Sequence, residues 1–485
     1  MRAGAVKKCI FFIIMLAAAC SARREACARD VAEHYVLDLK DPRIRIPIPL
    51  TYEVSRIIFY LGDGYGTLND AKDLFMDGRD NLYVADTGNN RVLRLDPERK
   101  VTLEITSANG LGLRAPQGVY VDADMDIYIA DTGNLRVLHT DPDGNFVEEF
   151  SRPTTTLVGE TFTFDPEKLF VTNTGNICVL KGYNLAMIDS NNIFRGFIMA
   201  ERLKFDFIEM MRNIFASREQ KERSLRRVPP PFSNIFKGGD GMIYATAINT
   251  DVRQIQKINS IGRNILPDPQ KNYGENLRNK DGKFVQSYFV DLTVNDFGII
   301  TAIDRENSRV YQYDPEGNLL AAFGGRGSVK GTFDVMSSIA GDSDGNLYIL
   351  DSKRNSIQIF TPTLFIRYVH EAIYEYCEGR YDSALALWEN VLRINENYAL
   401  AHAGKGKALE KKELWRESLD EYILAYDKKG YSKAFLEYRY QMFRENFLLI
   451  VCVIVAGFIA LLYLMKLLRR YTDKKMTRFL YGGRR

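Results

Sequence analysis

The sequence has few of the residues that most often carry catalysis or form covalent cross-links. Of its 485 residues, four are histidine and six are cysteine. The histidines are far apart in the sequence, at His34, His139, His370 and His402. Because only His139 lies within a repeat copy, a three-histidine zinc site is excluded. Four cysteines lie in or beside the terminal apolar segments. Cys178 and Cys377 remain, too few for a disulfide framework.

Long apolar runs occur only at the two ends of the chain. Arg2, Lys7 and Lys8 precede an apolar run at 9–19 that is short for a membrane span and is followed by small residues. This pattern predicts a secretory signal peptide over residues 1–28. Residues 16–20 partly resemble a bacterial lipoprotein signal, which leaves lipidation of Cys20 as an alternative, although Leu16 is one residue further from the cysteine than is usual.

Residues 447–465 form an uncharged run long enough to cross a bilayer as a helix. The 20 residues after it hold eight basic residues and one acid. The positive-inside rule therefore predicts a membrane helix at 447–465 with a cytoplasmic basic tail at 466–485, which leaves the rest of the mature chain outside the cytoplasm. Once both terminal segments are set aside, residues 30–465 carry a formal net charge of −9. This acidity argues against a nucleic-acid partner.

A nonapeptide is repeated almost unchanged. Residues 85–93 (Ala-Asp-Thr-Gly-Asn-Asn-Arg-Val-Leu) return at 130–138, 45 residues later, each after an alternating apolar strand. Weaker copies recur along the chain, and a period of this size indicates an array of equivalent units. The markers of the six copies are Asp86, Asp131, Asn173, Thr246, Asp304 and Asp351.

Each copy predicts a meander of four strands separated by turns rich in Asp, Gly, Pro and Asn. Such units arranged around an axis form a β-propeller. The sixth copy lacks a fourth strand, and residues 54–62 match the fourth strands of other copies. We therefore predict an all-β, six-bladed propeller over residues 34–362 in which this N-terminal strand completes the last blade.

The pattern strand–Asp–Thr–Gly–Asn–x–Arg–Val resembles the NHL repeat over roughly residues 54–362. The resemblance implies a binding platform more often than an enzyme, with the repeated loops on one face around the central channel. The binding candidates are Asp86, Arg91, Asp131, Arg136, Asn173, Asp304, Arg309 and Asp351. The competing and favoured interpretation is structural: each Asp caps a turn and pairs with the Arg five residues later.

Helical periodicity replaces the strand pattern at residues 364–445. Tyr381, Ala384, Trp388 and Val391 match Trp415, Ser418, Tyr422 and Ala425, 34 residues later. This spacing resembles tetratricopeptide repeats and implies a protein-binding segment, with a rigid stalk as the alternative. Two insertions are predicted in the propeller, an amphipathic helix with a basic loop at 199–231 and a loose polar loop at 264–287.

The sequence therefore predicts a membrane-anchored, extracytoplasmic binding or scaffold protein without a cofactor. Its propeller would bind a carbohydrate or peptide ligand, and its helical repeats would dock a partner protein. The alternative is a divalent-metal hydrolase of the sugar-lactonase kind, because Asp and Asn are abundant in the turns and leave a carboxylate–amide metal site open.

Overall fold

A computed structural model gives the structure of residues 32–38, 41–153, 163–181, 184–198, 232–248, 250, 252–260, 262–268, 271–275, 277–278 and 284–481. The predicted signal peptide with Cys20 and the predicted insertion at 199–231 lie outside these residues. The chain forms two compact units that divide between Tyr374 and Glu375.

The first unit is a six-bladed β-propeller, as predicted. Strands β1 (Tyr35–Leu37), β2 (Arg45–Pro47) and β3 (Tyr52–Ile58) precede the first blade. The blades follow in chain order, with two small hairpins (β8–β9 and β21–β22) between them: β4 (Asp73–Met76), β5 (Leu82–Asp86), β6 (Arg91–Leu95), β7 (Val101–Ile105); β8 (Ser107–Ala108), β9 (Leu111–Gly112); β10 (Gly118–Val121), β11 (Ile127–Asp131), β12 (Arg136–Thr140), β13 (Phe146–Phe150); β14 (Lys168–Val171), β15 (Ile177–Lys181), β16 (Asn184–Ile188), β17 (Phe194–Ile198); β18 (Phe232–Lys237), β19 (Ile243–Ala247), β20 (Ile255–Ile258); β21 (Leu277–Arg278), β22 (Phe284–Val285); β23 (Phe289–Val294), β24 (Ile300–Asp304), β25 (Arg309–Tyr313), β26 (Leu319–Gly324); and β27 (Met336–Gly341), β28 (Leu347–Asp351), β29 (Ser356–Pro362).

The ring is closed by the N-terminal strand. β3 pairs antiparallel with β29, so the last blade has the order β27-β28-β29-β3. Ile58 and Tyr52, at the two ends of β3, are 4% and 3% exposed, whereas Arg56 between them faces solvent. The prediction that a strand ahead of the first blade completes the sixth is confirmed.

Two further strands, which the sequence pattern did not reveal, extend the fifth blade. β1 pairs with β26 and β2 pairs with β1, giving a sheet of six strands. The Tyr35 ring lies 4.6 Å from the Arg45 guanidinium and 5.1 Å from that of Arg309, and Glu33 bonds both arginines at 2.9 Å. β1 and β2 thereby cover the outer edge of β26, which would otherwise be open to pairing with another chain.

In the third blade the strands lie at different positions from those expected by matching the repeat copies. Its first strand is Lys168–Val171, so Asn173 lies in the turn between the first two strands, and Lys181 takes the position of Asp86. The prediction that Asn173 is equivalent to Asp86 is therefore wrong. Residues 172–176 repeat the letters Thr-Gly-Asn, but they close a hairpin in which Gly175 has a left-handed φ of 78°.

The fourth blade has three strands in the described part of the chain. The segment after β20, predicted as the start of a loose loop, instead packs into the core beside the fifth blade. Leu266 and Tyr273 are 5% and 2% exposed, and Gly274 N–H donates to the Tyr313 hydroxyl at 2.8 Å. Apolar side chains spaced through a polar segment explain why its composition alone suggested a loop.

Six helices follow the propeller: α1 (Leu364–Cys377), α2 (Tyr381–Ile394), α3 (Ala399–Lys411), α4 (Trp415–Leu424), α5 (Lys428–Glu445) and α6 (Phe447–Tyr481). The first turns of α1 belong to the propeller unit, and successive helices from α2 to α5 pack on one another. The 34-residue periodicity has a structural basis, since Ala384 and Ser418 are both fully buried. Gly404 permits this packing, because a Cβ there would overlap the Trp388 ring.

α6 begins at the predicted residue and continues beyond the predicted end at Met465. Its part from Phe447 to Met476 is strongly apolar, and none of its most apolar stretch is buried. The helix is therefore long and apolar enough to cross a membrane, and it contrasts with the buried core helices of water-soluble domains.

Candidate functional site: the central channel

The innermost strand of each blade contributes an equivalent residue to the channel. First strands of neighbouring blades contact each other all the way round, from β4 through β27 and back to β4, so they line the axis. Strand register aligns one position in each of them. These six residues, here called the channel ring, are Asp73, Gly118, Lys168, Asn234, Asp291 and Ser338.

Five of the six ring residues form one buried polar network around Lys168. Its ammonium forms an ion pair with Asp73 and lies 3.9 Å from Asp291 Oδ2. The Asn234 amide donates to Asp291 Oδ1, and the Ser338 hydroxyl lies within hydrogen-bond distance of both carboxylates. Asp73 and Asp291 are about 5% exposed as side chains, and Lys168 is 14% exposed.

Charge and burial act in opposite directions on these groups. Burial works to lower the pKa of Lys168, but attraction to Asp73 and Asp291 outweighs it and raises that pKa above its ordinary value. Burial raises the pKa of Asp291 to about 6, even though Lys168 acts against the rise. Lys168 is therefore a fixed positive charge at neutral pH, which makes it unsuited to act as a nucleophile or a general base.

The channel ring has the oxygen donors of a divalent-metal site, but it does not fit one. All four carboxylate oxygens already accept protein hydrogen bonds, including those from the backbone N–H groups of Val119 and Ile339 at 2.9 and 2.8 Å. A divalent cation here would also lie beside the Lys168 ammonium, which would repel it. Across the described ranges, no group of three or more His, Cys, Asp or Glu side chains is arranged to hold a metal ion.

Beside the ring, the channel holds a cavity of about 620 Å³ that extends to the turns joining first and second strands. Aromatic side chains such as Phe75, Tyr120 and Phe297 contribute to its wall. Its carboxylates outnumber its cations: Asp73, Asp77, Asp80, Asp291, Asp296, Asp342, Asp344 and Glu371 against Lys168, Lys237 and Arg367. This volume is in the range of sites for small molecules and peptide side chains.

The first turns of α1 form one side of this cavity through Arg367, His370 and Glu371. His370 Nε2 lies 3.3 Å from Gln312 Oε1, and the Gln312 amide donates to the Tyr52 hydroxyl at 2.9 Å. Burial lowers the pKa of His370 to about 3, so its ring is neutral at physiological pH. This contact joins α1 to the fifth blade and to the closing strand.

The repeated motif has a structural role in the first two blades. Arg91 Nε and Arg136 Nε lie 2.8 and 2.9 Å from Asp86 Oδ2 and Asp131 Oδ2, and both aspartates are fully buried. The motif threonine of the second blade donates to Pro166 O of the next blade at 2.6 Å. Gly133 is required because a Cβ would lie 2.6 Å from a backbone oxygen.

The other predicted pairs are looser. Asp304 accepts from backbone N–H groups that include Tyr288 N at 3.0 Å, while Arg309 bonds Glu33 and Gly324 O instead. Asp351 accepts a hydrogen bond from Asp334 N at 2.7 Å. The sixth blade lacks the motif arginine, and Arg354 takes its place, with its Nε 3.5 Å from Asp351 Oδ2. Pairing five residues apart is therefore confirmed in blades one and two and replaced by other contacts in blades five and six.

None of the eight predicted binding residues lines the cavity. Seven of them lie at the junctions between second and third strands, which are at the opposite end of each blade from the turns at the cavity because strands alternate in direction. Asn173 lies in a turn between first and second strands, but that turn does not contribute to the cavity wall. The sequence reasoning missed Asp73, Lys168 and Asp291. Aligning the copies on the turn residues Asp77, Thr172 and Asn295 would have placed them together, each four residues before its turn.

Comparison with known proteins gives neither a family model nor a curated protein that matches the chain. Solved structures that it resembles include a streptogramin B lyase, at 11% identity and a TM-score of 0.41 over 64% of this chain and 98% of the other. A gluconolactonase from Xanthomonas campestris shares 13% identity over 65% and 97% of the two chains, with a TM-score of 0.38. The WD40 propeller domain of Doa1 shares 11% identity with this chain, with a TM-score of 0.37 over 64% of this chain and 97% of the other.

Proposed function

We propose that the protein is a membrane-anchored binding protein whose propeller takes a ligand in the channel cavity. The observation that carries this proposal is the 620 Å³ cavity, whose wall combines aromatic rings with charged groups. Ligand sites generally pair an apolar wall with a few convergent polar groups. The channel ring closes one side of the cavity with a network whose hydrogen-bonding capacity is already used, so recognition falls to the side chains and turns at the mouth.

The charges at the cavity favour a ligand that carries positive charge. Eight carboxylates and three cations line the cavity. Asp73 and Asp291 are neutralised in part by Lys168, and Asp342 is paired with Arg99 at 3.6 Å. Three further lining carboxylates give the cavity an acidic entrance, since Asp296 and Asp344 are exposed and Glu371 is half-buried. A cleft lined mainly by one sign of charge concentrates the opposite charge. We therefore propose a basic peptide segment as the ligand, ahead of a neutral carbohydrate.

The anchor and its topology belong to the same proposal. α6 supports a single membrane span because its apolar residues are exposed along its length. The basic residues after the span favour a cytoplasmic C-terminus, and the predicted signal peptide favours a propeller outside the cytoplasm. Protease protection in sealed vesicles tests this topology: protease added outside should digest the propeller and leave an epitope placed after residue 476 intact.

The NHL and tetratricopeptide resemblances give the proposal its architecture. Successive helices from α2 to α5 pack on one another with small residues such as Ala384, Gly404 and Ser418 at the contacts, and a repeat stack of this kind offers a surface for a second protein. A rigid stalk would have the same packing without a partner. Crosslinking from exposed positions of α3 separates the two, because a stalk yields no reproducible adduct in native membranes.

The test of the cavity uses full-length protein in lipid nanodiscs and three probes: basic, neutral and acidic peptide libraries. Gly239 lines the cavity, and a side chain there would enter open space. Gly239→Trp should therefore abolish binding of basic peptides. Gly112→Trp, on an exposed hairpin outside the cavity, is the matched control and should bind normally. Equal binding by both variants, or selection of neutral glycans in a parallel array, would contradict the proposal.

A further inference from the structure

The last helix of the helical stack has an apolar surface that no described residue covers. Phe435, Leu436, Met442 and Phe443 of α5 are 39%, 42%, 47% and 56% exposed. At 100° per residue, these positions fall within a sector of about 120° on one side of the helix. The side that packs on α4 is different and contains Ala434 and Tyr438. The four exposed residues are called the α5 stripe below.

A terminal helix of a repeat stack normally presents a polar outer face, because nothing packs beyond it. The α5 stripe departs from that rule. The departure is not confined to one residue, since Ile423, Leu424 and Tyr426 at the end of α4 are also more than half exposed. Exposed apolar side chains grouped in this way mark a surface that contacts a membrane or another protein.

The position of the stripe in the chain identifies that surface. Only Asn446 separates α5 from α6, whose exposed apolar side chains begin at Phe447. The end of the stripe at Met442 and Phe443 therefore lies about one helical turn before the start of the proposed membrane span. α5 also has five basic residues against two acids, and Arg439 lies over the Phe435 ring at 6.0 Å. Apolar and aromatic side chains combined with basic groups are typical of helices that lie in the membrane interface.

We infer that α5 lies along the bilayer surface, with the α5 stripe buried among lipid headgroups and the upper acyl chains. The inference rests on the proposed anchoring of α6. It adds that the helical stack is held against the membrane and does not stand away from it. The propeller unit would then be attached to a stack whose orientation at the membrane is fixed by two helices, α5 and α6, and not by α6 alone.

Depth-resolved fluorescence quenching on full-length protein tests this placement. The protein is reconstituted in phosphatidylethanolamine–phosphatidylglycerol nanodiscs that contain nitroxide lipids. A fluorophore is attached to single introduced cysteines after every native cysteine except the buried Cys178 is replaced, and the parent without an added cysteine is the labelling blank. Two matched pairs are compared, Phe435→Cys with Glu437→Cys and Met442→Cys with Arg444→Cys. The members of each pair are two residues apart and project from opposite sides of α5.

An interfacial helix predicts quenching about twofold stronger at 435 and 442 than at 437 and 444, because its apolar face is buried ~5–10 Å into the boundary of headgroups and acyl chains while its polar face meets water. It also predicts equal quenching at 435 and 442. If α5 stood upright on the membrane, position 435 would lie about 10 Å further out than 442 and would be quenched less. Graded quenching along the helix, or none at either stripe position, overturns the inference.

A label at Val455→Cys, in the middle of the span, separates failure of this inference from failure of the anchor. Deep quenching at 455 without quenching at 435 and 442 leaves the anchor intact and refutes the placement of α5. Absence of deep quenching at 455 refutes both. Spin labels at Met442→Cys that show a short distance between two molecules would mean that a second copy covers the stripe, which also refutes the membrane placement.

Discussion

Replacement of Lys168 by methionine tests the account of the channel ring. Methionine has a similar length and no charge, so the change leaves the carboxylates of Asp73 and Asp291 buried without their cation. Breaking a buried ion pair in this way costs about 3–5 kcal/mol. At roughly 2 °C per kcal/mol for a large domain, the Tm of the propeller should fall by roughly 6–10 °C at neutral pH.

The stability lost in Lys168→Met should depend on pH, and the pKa of Asp291 determines the direction of that dependence. An acid whose pKa is raised by folding stabilises the fold in its protonated form. That contribution is complete below the unfolded pKa of about 4 and is lost as the pH rises through about 6. Without Lys168 the pKa of Asp291 rises further, because the attraction that opposed the rise is gone. Lys168→Met should therefore lose much less stability at pH 5 than at pH 7.5.

Differential scanning fluorimetry of full-length protein at the two pH values measures both effects. Lys237→Met is the matched control, since Lys237 lines the same cavity but donates to Val171 O at 2.9 Å instead of pairing with a carboxylate of the ring. Its Tm change should be smaller and the same at both pH values. A Lys168→Met protein as stable as the wild type at pH 7.5, or one destabilised equally at both, would refute the account of the ring.

Three further substitutions test other parts of the fold by the same melting assay. Asp131→Ala should cost about 3 kcal/mol, the lower end of the range for a broken buried ion pair, because it leaves the Arg136 guanidinium with the partly exposed Glu149 as its remaining counter-ion; a near-neutral effect would mean that the motif does not stabilise the blade. Ile58→Ala in the closing strand should cost about 2–5 kcal/mol, and a loss below that range would question the ring closure. Gly404→Ala should destabilise the helical unit, whereas Gly457→Ala, which meets open space, should not; equal effects would refute the close helix contact.

Much of the architecture could be predicted from the sequence because the signals are local. Alternation of apolar residues and short turns identified the strands, and the unmatched strand near residue 54 implied the ring closure. The 34-residue period likewise anticipated buried positions such as Ala384 and Ser418. The two strands at Tyr35–Leu37 and Arg45–Pro47 were missed because short edge strands lack a distinct pattern, and their pairing depends on tertiary contacts.

The site was harder to predict because the most visible motif is not where the cavity lies. The Asp131–Arg136 pair recurs because it stabilises the individual blade. The channel-ring position holds a different residue in almost every blade, and Lys168 and Asp291 come together only at the axis. A residue that occurs once in an array has no periodicity to reveal it. In blade three, the letters Thr-Gly-Asn occur in a hairpin turn, and a comparison of letters cannot distinguish that turn from the motif loop.

The central claim is that the ligand binds at the cavity mouth and not at the repeated motif. Site-specific photocrosslinking of a selected basic peptide tests it most directly. A photoreactive phenylalanine replaces Phe297 at the cavity or Leu135, which is 48% exposed in a motif loop at the other end of its blade. We predict an adduct from position 297 and none from position 135. An adduct from position 135 alone, with the fold intact, would contradict the account.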